Sequence, residues 1–201
     1  MDVDSLFKVV VNELNKSDIQ WWVDYGTLLG LIREGKRIEY DDDYDMGFFV
    51  DDAEELLELL LPLDDVLVCD NLYFKVKSGE NHVCFHPFIL QNGKILECKG
   101  NVILKLLNVG EYYLFPFIRS LPFSLQKELI KLNRYFLRKV KKGNLTDYQS
   151  FVKKDMKGVT VNVPSGYDNI LKELYGDYMT PRKDVSTCYK GNKSLKEWRQ
   201  R

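Results

Sequence analysis

The sequence lacks any apolar run long enough to cross a membrane, and it lacks an excess of charge of either sign. A membrane-spanning helix needs about 20 apolar residues, whereas the richest run, residues 56–63, contains Glu58 and Pro62. Lys and Arg number 29 and Asp and Glu number 30, so the formal net charge of the 201 residues is -1. This balance argues against nucleic acid or an anionic lipid surface as the main partner.

The sequence also lacks a secretory signal and any pair of cysteines spaced as C-x-x-C. Asp2 and Asp4 place negative charge where a signal peptide carries positive charge, and Lys8 breaks the apolar run that follows. We therefore expect reduced thiols and a cytoplasmic location. The four cysteines are Cys69, Cys84, Cys98 and Cys188.

Hydrophobic periodicity predicts an α+β fold in which a small sheet comes first and helices follow. Helices are predicted over residues 4–16, 27–34, 53–61, 125–140 and 167–175, the fourth of them long and basic. Strands are predicted over residues 19–25, 44–50, 66–69, 73–77, 82–90 and 94–98, with a hairpin turn at residues 91–93. We expect one domain over residues 1–180, with a helical C-terminal half, and a basic tail over residues 181–201.

A glycine and a hydroxyl residue, Gly26 and Thr27, stand between a predicted strand and a predicted helix. The first turn of a helix presents unpaired N–H groups and the positive end of its dipole, and both favour a phosphate. Gly26 would let a phosphate approach the backbone, Thr27 could donate its hydroxyl, and Arg33 could add a charged contact two turns later. The simpler interpretation of the same residues is an ordinary helix cap.

Four aspartates lead into the second predicted strand: Asp41, Asp42, Asp43 and Asp45. Because strand side chains alternate between faces, Asp43 and Asp45 are expected on one face with their Cα atoms about 7 Å apart. Mg²⁺ commonly combines one or two carboxylates with substrate phosphates, so this pair is a candidate metal site. A solvated loop is the simpler interpretation, but residues 46–50 continue as a core-like strand, where buried carboxylates need partners.

Two other kinds of metal site are less well supported by the sequence. The aspartates match alternate positions of a calcium loop, but the sixth position is Met46 instead of glycine and the twelfth is Asp52 instead of glutamate. His82, Cys84 and His86 alternate along a predicted strand, which suggests zinc, but no fourth ligand is evident.

The segment GTLLGLIREGKRIEYDDDYDMGF, residues 26–48, resembles the defining motif of the LicD and fukutin-type transferases. That motif joins a glycine, a Ser or Thr, Leu-Leu-Gly and an arginine to alternating aspartates, and here Tyr40 replaces its tryptophan. Two further stretches are similar to members of this family, YGDYMTP at residues 175–181 and NHVCFHPFILQNG at residues 81–93. The resemblance implies a nucleotidyltransferase-like fold, with a small mixed sheet flanked by helices.

The resemblance also implies a Mg²⁺-dependent phosphotransferase, with Mn²⁺ as the alternative ion. The family moves a phosphorylated alcohol, such as phosphocholine or ribitol phosphate, from a CDP-linked donor to a hydroxyl of a glycan or glycoconjugate. By this resemblance Asp43 and Asp45 bind the metal and Asp41 supports them as further catalytic carboxylate. Gly26 and Thr27 would hold the donor phosphate.

Arg33 would then position the donor or brace the acidic segment. One further position departs from the family pattern. Related proteins often carry a third carboxylate on a later strand, and the matching residue here is His86. His86 could act as a general base, or it could mark an altered metal preference or an inactive relative. Two alternatives therefore stay open: nucleotidyl transfer from an NTP to a protein, RNA or small molecule, and non-catalytic binding of a nucleotide or glycan.

Overall fold

A computed structural model of the chain describes residues 1–39, 41–63, 65–68, 73–101, 121–134 and 137–181. The predicted tail from residue 182 onward, Cys69, Cys188 and Tyr40 lie outside the described residues. Within these ranges, no helix is both long enough and apolar enough to span a membrane.

Helices and strands alternate in the first part of the chain, and the fold class is α+β, as predicted. The elements up to residue 101 are α1 (Val3–Leu14), β1 (Trp21–Val23), α2 (Tyr25–Glu34), β2 (Asp43–Phe49), α3 (Ala53–Leu60), β3 (Asp65–Val68), β4 (Phe74–Ser78), β5 (Asn81–Gln91) and β6 (Lys94–Asn101). The later elements are α4 (Phe123–Asn133), β7 (Leu137–Asn144), β8 (Phe151–Met156), β9 (Val159–Pro164) and α5 (Tyr167–Tyr175).

Strand β5 organises the main sheet because it pairs with three neighbours. Its first part lies between β2, which runs parallel to it, and β4, which runs antiparallel. The strand order is β1-β2-β5-β4-β3, while β6 pairs with the last part of β5 and with β7. Asp43 lies opposite His82 and Asp45 opposite Cys84 in the β2–β5 register, so the acidic strand and the histidine strand are adjacent.

The two faces of β2 have different environments. Tyr44, Met46 and Phe48 point to one face and are fully buried. Phe7 of α1 stacks on Tyr44 with 3.8 Å between the ring centroids, which fixes this face as the hydrophobic core. Because side chains alternate along a strand, Asp43 and Asp45 point to the opposite face.

The prediction of a helical C-terminal half is wrong for the described residues, because β7, β8 and β9 lie there. The helix predicted over residues 125–140 ends at Asn133, and Leu137–Asn144 pairs with β6 instead. Leucine, lysine and arginine favour a helix locally, but pairing with an adjacent strand outweighs that weak preference. The β8–β9 hairpin has no counterpart in the prediction; its turn uses Lys157 and Gly158 at φ 59° and 82°, a weaker signal than Asn-Gly.

Candidate active site

The turn between β1 and α2 brings backbone and carboxylates into direct contact. Helix α2 begins at Tyr25, and the buried Asp24 side chain caps it by accepting a hydrogen bond from the Tyr25 N–H at 2.8 Å. A Cβ atom on Gly26 would lie 2.4 Å from Asp41 Oδ2 and 3.8 Å from Asp45 Oδ2. A side chain at position 26 would therefore force the Asp41 carboxylate to move.

Thr27 anchors the acidic strand to this turn. The Asp45 N–H donates a hydrogen bond to Thr27 Oγ1 at 2.7 Å, and the Asp24 N–H donates to the Asp45 carbonyl at 3.0 Å. Thr27 is fully buried. The hydroxyl that the sequence assigns to the donor phosphate thus positions Asp45 in this structure.

Two of the predicted aspartates, Asp41 and Asp45, lie beside Gly26. Carboxylate oxygens of Asp41, Asp42 and Asp43 lie within 4.8 Å of one another. Burial and the neighbouring charges of Asp43 and Asp45 raise the pKa of Asp41 to about 7. Such a concentration of negative charge is stabilised by a bound proton or by a cation.

His82 and Cys84 face Asp43 from strand β5. His82 Nε2 lies 3.3 Å from Asp43 Oδ2, and Cys84 Sγ donates to the same oxygen at 3.7 Å. The hydrogen bond to Asp43 raises the pKa of His82, against the opposing effects of burial and of the Lys75 ammonium. Burial raises the pKa of the Cys84 thiol, so this sulfur stays protonated.

His86 lies between two carboxylates. Its Nε2 is 2.9 Å from Asp45 Oδ1, and its Nδ1 is 3.4 Å from Glu97 Oε1. Burial lowers the pKa of His86, but the hydrogen bonds and charges of Asp45 and Glu97 outweigh burial and raise it to about 9. His86 is therefore a cation that holds Asp45, which disfavours the general-base role that the sequence left open.

Glu97 is a site residue that the sequence prediction missed. It is 5% exposed, and it accepts a hydrogen bond from the Tyr25 hydroxyl at 2.5 Å and forms an ion pair with Lys99. Burial would raise the pKa of Glu97, but His86 and Lys99 outweigh it and hold the pKa at about 2. The sequence contained one signal for this role. Glu97 is a charged residue two positions after Ile95 in the predicted return strand, so it lies on the same strand face as the buried Ile95.

Lys142 of β7 packs against the turn between β1 and α2. Its side chain is 3% exposed, with Nζ 3.5 Å from Asp24 Oδ1 and 3.1 Å from the ring centroid of Tyr25. Burial lowers the pKa of Lys142, against the charge of Asp24. The predicted helix over residues 125–140 stops before Lys142, and the position of Lys142 in the site depends on the pairing of β7 with β6.

Arg33 is the predicted site residue that the structure leaves apart from the acidic cluster. It lies in the last turn of α2, and seven residues of helical rise separate it from Gly26 by about 10 Å along the axis. Its Nη2 is 2.5 Å from Glu34 Oε1, and its side chain is 10% exposed. The guanidinium is thus engaged by a glutamate of its own helix.

The sequence matches a model of a known protein family. Residues 18–125, more than half of the chain, match the family model described as LicD/FKTN/FKRP, nucleotidyltransferase domain. The chain belongs to the LicD family. The matched region contains Gly26, the acidic segment, His86 and Glu97, and the expectation of a nucleotidyltransferase-like fold is confirmed.

The relatives of this LicD-family chain are distant and longer than it is. A Rickettsia prowazekii protein of unknown function is 32% identical over 92 residues, 46% of this chain and 34% of that protein. The ribitol 5-phosphate transferase FKRP of Mus musculus is 28% identical over 131 residues, 58% of this chain and 26% of that protein. The matches thus span about a third and a quarter of the relatives' lengths. A solved structure from Thermotoga maritima, assigned to the nucleotidyltransferases, aligns over 86% of both chains with a TM-score of 0.44 and 11% identity.

The acidic cluster fits the hard divalent cation that LicD-family chemistry implies. The donors that Asp41, Asp42 and Asp43 offer are all carboxylate oxygens, which Mg²⁺ and Mn²⁺ prefer. Asp43, His82 and Cys84 also approach one another within 4.8 Å and form a second, mixed set of oxygen, nitrogen and sulfur donors. The all-oxygen set is the one that matches Mg²⁺ or Mn²⁺.

Proposed function

We propose that this LicD-family chain is a Mg²⁺-dependent phosphotransferase that moves a phosphorylated alcohol from a CDP-linked donor to a glycan hydroxyl. One observation carries the proposal: Asp41 and Asp45 both lie against Gly26 at the start of α2. A metal-binding carboxylate group and a helix N-terminus suited to phosphate therefore occupy the same place. The mouse relative named as a ribitol 5-phosphate transferase supports the choice of transferred group.

The chain's own residues would prepare the donor for attack. The N–H groups in the first turn of α2 would bind its pyrophosphate, and Gly26 lets the carboxylates of Asp41 and Asp45 approach this turn closely. Asp43 and Asp45, supported by Asp41, would hold the cation. Mg²⁺ held there would neutralise charge that develops on the phosphate oxygens.

The transfer exchanges one phosphorus–oxygen bond for another. The acceptor hydroxyl oxygen bonds to the phosphorus that carries the alcohol, and the bond from this phosphorus to the bridging oxygen breaks, leaving its electron pair on CMP. Asp41 Oδ2, the carboxylate oxygen nearest Gly26, would accept the hydroxyl proton. His86 contacts Asp45 and Glu97 through its two ring nitrogens, so its role is to hold Asp45.

Release of CMP from CDP-choline and CDP-ribitol, with a glycan acceptor and Mg²⁺, tests the proposal directly. Asp45→Asn should abolish turnover, whereas Asp18→Asn, at an exposed aspartate outside the acidic cluster, should retain most of it. Full turnover in Asp45→Asn would contradict the proposed metal site. Labelled CTP and ATP distinguish this phosphotransfer from the alternative, nucleotidyl transfer, because a labelled nucleotide left on the product indicates nucleotidyl transfer.

A further inference from the structure

The structure leaves the proposed donor site without the cation that Arg33 was expected to supply. Two ionised carboxylates cancel the charge of one divalent metal ion, so an anionic pyrophosphate needs a further positive group for tight binding. Arg33 pairs with Glu34 at the other end of α2. A different cation must therefore face the donor phosphates if the proposed function holds.

Lys75 of β4 lies on the same sheet face as the acidic cluster. It is the register partner of Cys84, which is the register partner of Asp45, so the three residues form one row across β4, β5 and β2. Adjacent strands are about 4.8 Å apart, which places the Cα atoms of Lys75 and Asp45 about 10 Å from each other. A donor phosphate bound at the metal would lie between these two side chains.

Lys75 is half-buried, and it forms no hydrogen bond or ion pair with any residue in the described part of the chain. Its ammonium is close enough to His82 and Cys84 to act electrostatically on both. Because register partners on adjacent strands point to the same face of a sheet, the Lys75 side chain lies on the face that Cys84 and Asp45 share.

We propose that Lys75 binds the pyrophosphate of the donor, as the cation opposite the metal-binding carboxylates. The inference rests on the proposed function, because it assumes a diphosphate ligand next to Asp45. It assigns the positive charge that faces the donor to Lys75 of β4, whereas the sequence motif had assigned it to Arg33 of α2. A lysine acts here as a point charge for phosphate, so arginine can substitute for it in part.

Isothermal titration of the whole chain with CDP and, separately, with inorganic pyrophosphate in the presence of Mg²⁺ tests this assignment. Lys75→Gln should weaken binding of both probes about tenfold, because one partly screened charge contact is lost. Lys75→Arg keeps that charge, so its affinity for both probes should stay within about threefold of that of the unchanged protein. Lys153→Gln is the control, because this exposed lysine lies on β8 in the separate two-stranded sheet, and it should change binding less than twofold. Mn²⁺ affinity, measured by electron paramagnetic resonance, should be unchanged in Lys75→Gln.

The outcomes separate the two proposals. Unchanged CDP binding in Lys75→Gln would overturn the assignment of Lys75 and leave the proposed function intact. Binding of pyrophosphate without binding of CDP, lost in Lys75→Gln, would support Lys75 and contradict the cytidine donor. Absence of binding of either probe to the unchanged protein, with Mg²⁺ present, would contradict both proposals.

Discussion

His86 Nε2 lies 2.9 Å from Asp45 Oδ1, and the same imidazole places Nδ1 3.4 Å from Glu97 Oε1. An imidazole that faces a carboxylate at each nitrogen is stabilised with both nitrogens protonated. The ring thus links the acidic strand β2 to the buried Glu97 of β6. It supplies positive charge where related proteins often carry a third carboxylate.

The pKa of His86 is directly measurable, because the chain contains just two histidines. In metal-free protein we expect a pKa of about 9 for His86, followed by the NMR shift of the ring carbon proton between pH 5 and pH 10. Glu97→Gln should lower this pKa, because it removes one of the two charges that stabilise the imidazolium. His82, whose pKa is raised by Asp43, is the internal control and should not move. A His86 pKa of 6.5 or less would contradict the arrangement.

Gly26→Ala should impair the site while leaving the fold intact. The new Cβ would lie 2.4 Å from Asp41 Oδ2, so the carboxylate must move, and displacement of about 1 Å in a catalytic site reduces turnover about 100-fold. We expect weaker Mn²⁺ binding and slower CMP release, with a near-normal melting temperature. Gly35→Ala at the end of the same helix is the control: open space surrounds its Cβ, but its φ of 69° makes the substitution strained. It should lower stability by about 1 kcal/mol and keep the activity.

Thr27→Val should destabilise the protein by about 1–3 kcal/mol, because the Asp45 N–H would lose its acceptor in a site closed to water. Urea denaturation measures this change in the free energy of unfolding. Thr27→Ser keeps the acceptor oxygen and should recover most of the loss. The exposed Thr160 provides the control, since Thr160→Val should change stability by less than about 0.5 kcal/mol. Equal effects at the two threonines would contradict the anchoring role of Thr27.

Lys142→Met should destabilise the protein strongly, by about 3–5 kcal/mol, because it leaves Asp24 buried without its counter-charge. Asp24→Asn in the same chain should recover part of this loss, and the four free energies of unfolding form a double-mutant cycle. Lys141→Met changes the exposed neighbour and should have an effect below about 0.5 kcal/mol. Strictly additive effects at Asp24 and Lys142 would contradict the proposed pairing.

The glycine turn and the acidic strand could be predicted because their residues are close together in the sequence. Residues 26–48 form a continuous stretch, and strand alternation alone places Asp43 and Asp45 on one face. Glu97, Lys142 and Lys75 could not be assigned in this way, because each reaches the site through strand pairing. Their roles depend on the β5–β6, β6–β7 and β4–β5 registers, which hydrophobic periodicity does not determine.

The backbone of Tyr25 is strained by the turn, while its side chain contacts two residues of the site. Its φ of 44° lies in the left-handed region, which costs a residue with a side chain roughly 1–2 kcal/mol, and glycine would adopt it freely. The same residue delivers the hydroxyl that fixes Glu97 and the ring that covers Lys142. Loss of the aromatic side chain at position 25 would relieve this strain but would leave the buried Glu97 and Lys142 without these contacts, so Tyr25→Gly should lower the stability of the protein despite the relaxed backbone.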